Sequence, residues 1–306
     1  MAPYWLGRPP GEALDVVAAA DRAALAEAWI GEMLSFDAFA LAGAAARETG
    51  SIRLTVGPLP VSVRTPVGIA MGVAGLGALT RPERIGLALG GSSKVVSEVW
   101  HRRPWVRVPE QMTHTLSEVR TVLAGGRSTG SGPDTGDGFR LAIPAVVPPI
   151  TVAAFGPRMR AVAVAGADRL VLNLVTPAHV AAVVADVDPL PVAVWVVAGL
   201  DPSREALAAV RRQLAFYLAA PGYADMFRTA GHEDLVDAAI AGTPVGRLAE
   251  AIPDALIEAV AAVGSTADVL AGIDRFQTAG AAHVALVPMT WDDPAGARLF
   301  SLVGGG

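Results

Sequence analysis

The 306-residue chain contains no cysteine. That single absence removes disulfides, thiol nucleophiles and thiolate metal sites. There is one lysine, Lys94, and every other fixed cation is an arginine. Schiff-base chemistry would rest on that one residue, and a phosphate would have to be held by Arg, hydroxyl or backbone. No apolar run reaches the roughly 18–20 residues that cross a bilayer. Prolines interrupt the longest candidates, at Pro144–Pro149 and Pro189–Pro191. The opening MAPYWLGRPPGE lacks the charged-then-apolar order of a secretory signal, so a cytoplasmic protein with no membrane attachment is expected. Net charge is −5 and no basic stripe is visible, which argues against nucleic acid. His101, His114, His179, His232 and His283 show no H-E-x-x-H or comparable spacing, so no metal is expected.

What is present is apolar and segmented. Hydrophobic residues make up 52% and charged residues 17%. The most informative stretch is Ile150–Pro177, ITVAAFGPRMRAVAVAGADRLVLNLVTP. It reads as strand, sharp Gly156-Pro157 turn, helix and strand, a βαβ unit that implies a parallel sheet covered by helices. The turn sets free backbone N–H groups and Arg158 at a helix start, a natural place for an anion.

The rest of the chain repeats this rhythm. Pro3-Tyr4-Trp5 reads as the end of a first strand, and Glu12–Ala26 as an amphipathic helix. Ala28–Gly31 is a second strand, with Asp37 capping a helix to Thr49. Ile52–Val56 and Arg84–Leu89 read as third and fourth strands, the helix Pro66–Leu79 lying between them. Helices follow near Val95–His101 and over Pro109–Leu123. Gly125–Gly138 is turn-rich and of low complexity, and residues 125–149 are expected to be a flexible insertion. After the fifth and sixth strands in Ile150–Pro177 comes a seventh at Pro191–Ala198. A long helical region spans Ser203–Val263, then a helix Thr266–Thr278 capped by Ser265. The eighth strand is His283–Val287 and the last helix Pro294–Leu302.

Eight strands separated by helices predict one α/β domain over residues 1–306, a (β/α)8 TIM barrel. The competing open doubly wound sheet is weakened because no G-x-G-x-x-G follows an early strand. In a barrel the residues just past each strand share one face. Here they are Tyr4, Glu32, Gly57-Pro58, Gly90-Gly91-Ser92, Phe155-Gly156, Asn173, Gly199 and Pro288-Met289.

WIGEMLSFDAF, TVGPLPVSVRTP, ALGGSS, VWH and AAFGPRM–ADRLVLNLVTP occur in this order between about Ala20 and His179. As an ordered set they resemble the bacterial luciferase-like superfamily, most closely its actinobacterial branch dependent on the deazaflavin F420. The resemblance implies a luciferase-like TIM barrel with a shortened first strand and insertions. It also implies an oxidoreductase that moves a hydride between F420 and a small organic substrate, and a cytoplasmic homodimer is expected. The alternatives are an FMN-dependent luciferase-like monooxygenase and a non-catalytic flavin-binding barrel.

The same resemblance assigns roles. Gly57-Pro58 falls where relatives carry a cis peptide behind the cofactor ring, and a proline lowers the cost of that geometry. Gly90, Gly91 and Ser92 would let backbone approach the cofactor. Phe155, Gly156, Pro157 and Arg158, with Asn173 and Thr176, would hold its ring and phosphate-bearing tail. Glu32 and His101 are the candidate catalytic groups, for substrate orientation and proton transfer. Met33 stands where alcohol-oxidising relatives place a His base, which favours delivery of hydride to an unsaturated substrate.

Overall fold

A computed structural model of the chain describes residues 1, 5, 7–32, 36–130, 137–143 and 147–304. Among the described residues eight strands are present: β1 Glu27–Ile30, β2 Arg53–Pro60, β3 Ile85–Gly90, β4 Ile150–Ala153, β5 Arg169–Asn173, β6 Val192–Leu200, β7 Ala261–Gly264 and β8 His283–Pro288. The chain divides into two compact units, one of residues 20–170 and one joining residues 3–19 to 171–306.

In the unit of residues 20–170, β1, β2, β3 and β4 pair in chain order, all parallel. Helices Ala38–Glu48, Pro66–Gly77 and Val108–Leu123 join them, and Pro157–Gly166 follows β4. β3 is buried along its whole length, and β1 exposes only its first residue in part. That burial explains the continuous apolar runs in the sequence: a parallel strand covered on both faces has no solvent side to mark with polar residues. The helices are started by their own side chains. Asp37 accepts the Ala40 N–H at 3.0 Å, and Thr65 caps the helix that begins at Pro66.

The start of this sheet carries a buried polar knot. Arg169 donates to both carboxylate oxygens of Glu27, at 2.8 and 2.9 Å, and through Nε to the Thr151 hydroxyl at 3.1 Å. The Thr55 hydroxyl bonds the same carboxylate. The guanidinium carbon lies 4.6 Å from the centre of the Trp29 ring. The Glu27 side chain is only 4% exposed. A second buried guanidinium, Arg84, ties the carbonyls of Thr49 and Ile52 to the hydroxyls of Thr49 and Thr80.

In the other unit β6 pairs in parallel with β8 along most of its length and with β7 at its C-terminal end. β7 corrects the sequence expectation. Ala261–Gly264 lies at the end of the region predicted helical to Val263, where Ala-Ala-Val suits either structure and pairing with β6 decides for strand. The remainder of that region is five short helices between Arg204 and Val260. The predicted Ser265 cap is present as a full capping box with Asp268. The expected first strand falls on Pro3 and Tyr4, outside the described residues. Around it the Met1 amino group bonds the Leu286 carbonyl at 2.6 Å, and the Trp5 indole N–H bonds the Pro288 carbonyl at 2.8 Å.

Part of the predicted insertion is pinned by hydrogen bonds. Ser128 and Phe139 share a backbone bond of 2.8 Å, and the Thr129 N–H reaches the buried Glu118 carboxylate at 3.0 Å. Residues 131–136 and 144–146 lie outside the described set. Among the described residues no helix is long and apolar enough to cross a membrane.

Removing one member of a buried ion pair leaves the other charge uncompensated, at a cost of about 3–5 kcal/mol. Arg169→Met should destabilise the protein by that amount in urea denaturation, and adding Glu27→Leu should recover part of the loss. Asp21 gives a pH test. Burial pushes its carboxyl up, but the N–H groups of Gly50, Ile52 and Ser51 and the Ser51 hydroxyl outweigh this and bring it from 3.8 down to about 2. A depressed folded-state pKa stabilises above the unfolded value, and the contribution is lost as pH falls through that value toward the folded one. The stability gap between wild type and Asp21→Asn, measured by denaturant titration, should therefore close between about pH 4 and about pH 2.

Candidate active site

Glu32 follows β1 by two residues. Its carboxylate receives the Arg64 Nε–H, at 2.8 Å to one oxygen and 3.0 Å to the other, a second bond from Arg64 Nη2, and the Ala38 N–H at 3.2 Å. Arg64 Nη2 also bonds Asp37. The guanidinium reaches this place because the chain turns tightly after β2, where the Val63 and Arg64 N–H groups both bond the Pro60 carbonyl at 2.9 Å. Its charge is deeply committed. Bonding to Glu32, opposed by burial and reinforced by Asp37, raises its pKa above the usual guanidinium value. Burial acts to raise the Asp37 pKa, but the bonds from Arg64 and the Ala40 N–H prevail and lower it. The Phe39 ring centre lies 5.5 Å from the guanidinium carbon.

Glu32, Val63, Arg64, Thr65, Gly68 and His101 line one open cleft of about 380 Å³. The structure thus brings together the two residues singled out as catalytic candidates, Glu32 and His101. His101 ends a single π-helical segment, Val95–Trp100, where a helix was expected. Its N–H bonds the Val96 carbonyl at 3.1 Å, and its side chain is exposed. Such five-residue spacing often re-aims a side chain at a functional site. The segment is fastened from below: the buried Ser97 hydroxyl meets the Ser62 hydroxyl at 2.6 Å, and the Trp105 indole N–H bonds the Gly91 carbonyl at 2.8 Å.

The Gly57–Pro58 peptide is cis, as the family resemblance anticipates. It sits at a bulge, where the β2–β3 register shifts between Val56 and Leu59. Gly57 has φ +114°, and a Cβ there would lie 2.1 Å from the Ala88 carbonyl oxygen, so only glycine fits. Gly90 packs against the Pro58 ring and Gly91 against Val108, so protein atoms already occupy the space a Cβ would take. Ser92 is exposed at φ 55°.

The remaining predicted residues do not line that cleft. Gly156 caps the helix Pro157–Gly166 without a side-chain bond, with Pro157 at its first turn and open space over Gly156. The Phe155 carbonyl accepts from Arg160 at 3.2 Å. Arg158 is 75% exposed and pairs with Glu110 at 2.7 Å. Asn173 and Thr176 belong to the other unit. The Asn173 carbonyl accepts the Tyr223 hydroxyl at 2.8 Å, and Thr176 caps the helix Pro177–Val187 through the His179 N–H at 3.2 Å. Burial, then nearby Tyr217, holds the Tyr223 phenol well above its ordinary pKa, so it stays a donor. Met33 lies outside the described residues. Sequence reasoning missed Arg64 and Tyr223. The Arg-Thr-Pro run marks a helix start, but nothing in it names Glu32 as a partner.

The chain's G-x-S-x-G, Gly126–Gly130, is not a nucleophile elbow. Ser128 is buried and its hydroxyl accepts the Phe139 N–H at 2.9 Å, away from any strand-to-helix turn.

A family model described as luciferase-like monooxygenase matches residues 3–283. The chain belongs to the luciferase-like monooxygenase family. Its fold is the α/β fold of that family, the luciferase-like (β/α)8 class. Three solved structures illustrate the likeness. The coenzyme F420-dependent tetrahydromethanopterin reductase of Methanopyrus kandleri has a TM-score of 0.80 at 19% identity, over 97% of this chain and 94% of that one. An F420-dependent secondary alcohol dehydrogenase, solved with an F420–acetone adduct, has a TM-score of 0.75 at 19% identity, over 97% and 94%. The FMN-bound oxygenating constituent of 3,6-diketocamphane monooxygenase from Pseudomonas putida has a TM-score of 0.68 at 18% identity, over 99% and 95%. No curated protein matches the chain by sequence. At these identities the likeness is one of fold, and membership of the family rests on the match over residues 3–283.

Proposed function

We propose that this luciferase-like protein is an F420-dependent oxidoreductase that moves a hydride between the deazaflavin and a small organic substrate. The observation that carries the reading is the meeting of Glu32, Arg64 and His101 in one cleft, in a chain whose strand-end residues follow the F420 branch in order. The two F420-dependent structures above support it. The residues are compatible with such a group: Pro58 and Gly91 are each partly exposed, and the N-terminus of the Pro157–Gly166 helix, which has no side-chain cap, suits an anionic tail. When bound, the deazaflavin would supply or accept the hydride. The chain would bind, orient and exclude water. Asn173 and Thr176, in the other unit, already have local partners. A cytoplasmic homodimer belongs to the same reading, with Met71 and Leu79, exposed on and after the helix Pro66–Gly77, as apolar surface for a second copy.

The FMN-dependent monooxygenase is the second reading, favoured by the FMN-bound neighbour and by the family itself. Titrating the purified protein with F420 and with FMN, followed by absorbance and fluorescence, separates the two. Micromolar binding of F420 alone is expected, and binding of FMN alone would reverse the order. Arg158→Ala should weaken F420 binding by about 1.5–3 kcal/mol if its guanidinium holds the phosphate. Glu110→Gln frees that guanidinium from its ion pair and should tighten binding; an unchanged dissociation constant in both variants removes Arg158 from the site.

A further inference from the structure

We infer that the cleft beside Glu32 receives one oxygen of a neutral carbonyl substrate, and that Arg64 Nη1 is the group that binds it. The inference deepens the oxidoreductase reading and rests on it for the reaction, though not for the recognition.

A guanidinium has five N–H donors. In Arg64, Nε and Nη2 are spent on Glu32 and Nη2 also on Asp37. Among the described residues, Nη1 makes no hydrogen bond, and Arg64 lines the cleft. The two carboxylates and the Phe39 ring hold the guanidinium in place before any ligand arrives, so its free nitrogen is presented in a fixed direction. Glu32, by contrast, has both oxygens engaged. Its part is to position Arg64, and Arg64 is the one that touches the ligand.

The donor set also selects the ligand class. Arginine recognises a carboxylate or phosphate through two nitrogens at once. Here the Nε–Nη2 edge is taken by Glu32, and the Nη1–Nη2 edge is half taken by Asp37. What remains suits one oxygen. Charge points the same way: one guanidinium stands against two carboxylates, so a further full negative charge is disfavoured while a polarised carbonyl oxygen is not. His101 lines the same cleft and carries a ring N–H in either tautomer. Reduced deazaflavin, if bound, would supply the hydride to the carbonyl carbon as the reductant. Arg64 would hold the oxygen on which the displaced π electrons collect, and His101 would give that oxygen the proton that completes the alcohol.

The test uses 4-(dimethylamino)cinnamaldehyde, whose visible band moves to the red when its carbonyl oxygen is bound by a cationic donor. It is titrated into the full-length protein with no cofactor added. Saturable binding with a red-shifted band is expected. Arg64→Lys keeps a positive charge against Glu32 but removes Nη1, and should lose the shift and about tenfold or more in affinity. The matching carboxylate, 4-(dimethylamino)cinnamate, should not displace the aldehyde from the wild type, a measurement that needs no variant to fold. No saturable binding, a shift that survives Arg64→Lys, or equal competition by the carboxylate would each overturn the inference. An Arg64-dependent shift in a protein that fails to bind F420 would instead sink the cofactor reading and leave the carbonyl receptor standing.

Discussion

The sheet of residues 20–170 depends on a buried charge pair. Arg169 opens β5 and Glu27 opens β1, and the two meet with Thr55 of β2, Thr151 of β4 and the face of Trp29. The guanidinium ties its own strand to β1 and β4, and the Glu27 carboxylate brings in β2 through Thr55. Apolar packing alone would leave parallel strands of Val, Leu and Ala able to slip by a residue pair, since similar side chains recur along each of them. A bidentate, doubly hydrogen-bonded pair tolerates no such slip. Its contribution is as much to uniqueness of register as to stability, because the desolvation of both charges offsets much of their attraction.

The hydrogen-bonded members of that knot, Glu27, Thr55, Thr151 and Arg169, all lie in the first half of their strands. The cleft lies at the other end, beyond Ile30 and Pro60. In folds built of parallel strands and returning helices, all strand ends face one way, and chemistry collects there while the strand starts serve stability. This chain uses the same pairing of arginine with carboxylate at both ends, for different purposes. At the start the buried Glu27 carboxylate takes two donors from a partly exposed Arg169 and a third from Thr55. At the end Glu32 and Asp37 restrain Arg64 and leave part of it open. With one lysine in the whole chain, arginine carries both tasks, and its planar fork is what allows one edge to be fastened while another remains free.

The bulge at Gly57-Pro58 belongs to this end as well. Gly57 can lie against the Ala88 carbonyl only because it lacks a side chain, and Gly90 closes on the Pro58 ring for the same reason. The glycines near the site therefore serve the packing of β2 on β3 in the first place. Serine does comparable work at the π-helical segment, where Ser97 within it meets Ser62 of the turn after β2 by their hydroxyls and anchors the segment that ends at His101.

The alternation of strands and helices was legible because burial on both faces writes itself as short apolar runs broken by Gly, Pro and capping residues. Asp37, Ser265, the βαβ unit at Ile150–Asn173 and the strand ends carrying Glu32 and Gly57-Pro58 followed from that local grammar. β7 did not, since Ala261–Val263 favours neither helix nor strand until β6 lies beside it. Nor did the partners of the charges: Glu27 and Arg169 are 142 residues apart, and Glu32 and Arg64 are 32 apart. Hydrophobic period specifies which way a side chain points, whereas an ion pair requires two distant segments to arrive at one place. So the sequence alone determined the alternation of strands and helices up to β6 and the identity of the family, and only the tertiary structure decided that Ala261–Gly264 is a strand and that Glu32 is held by Arg64, because long-range proximity is a property of the packed chain and not of any segment in it.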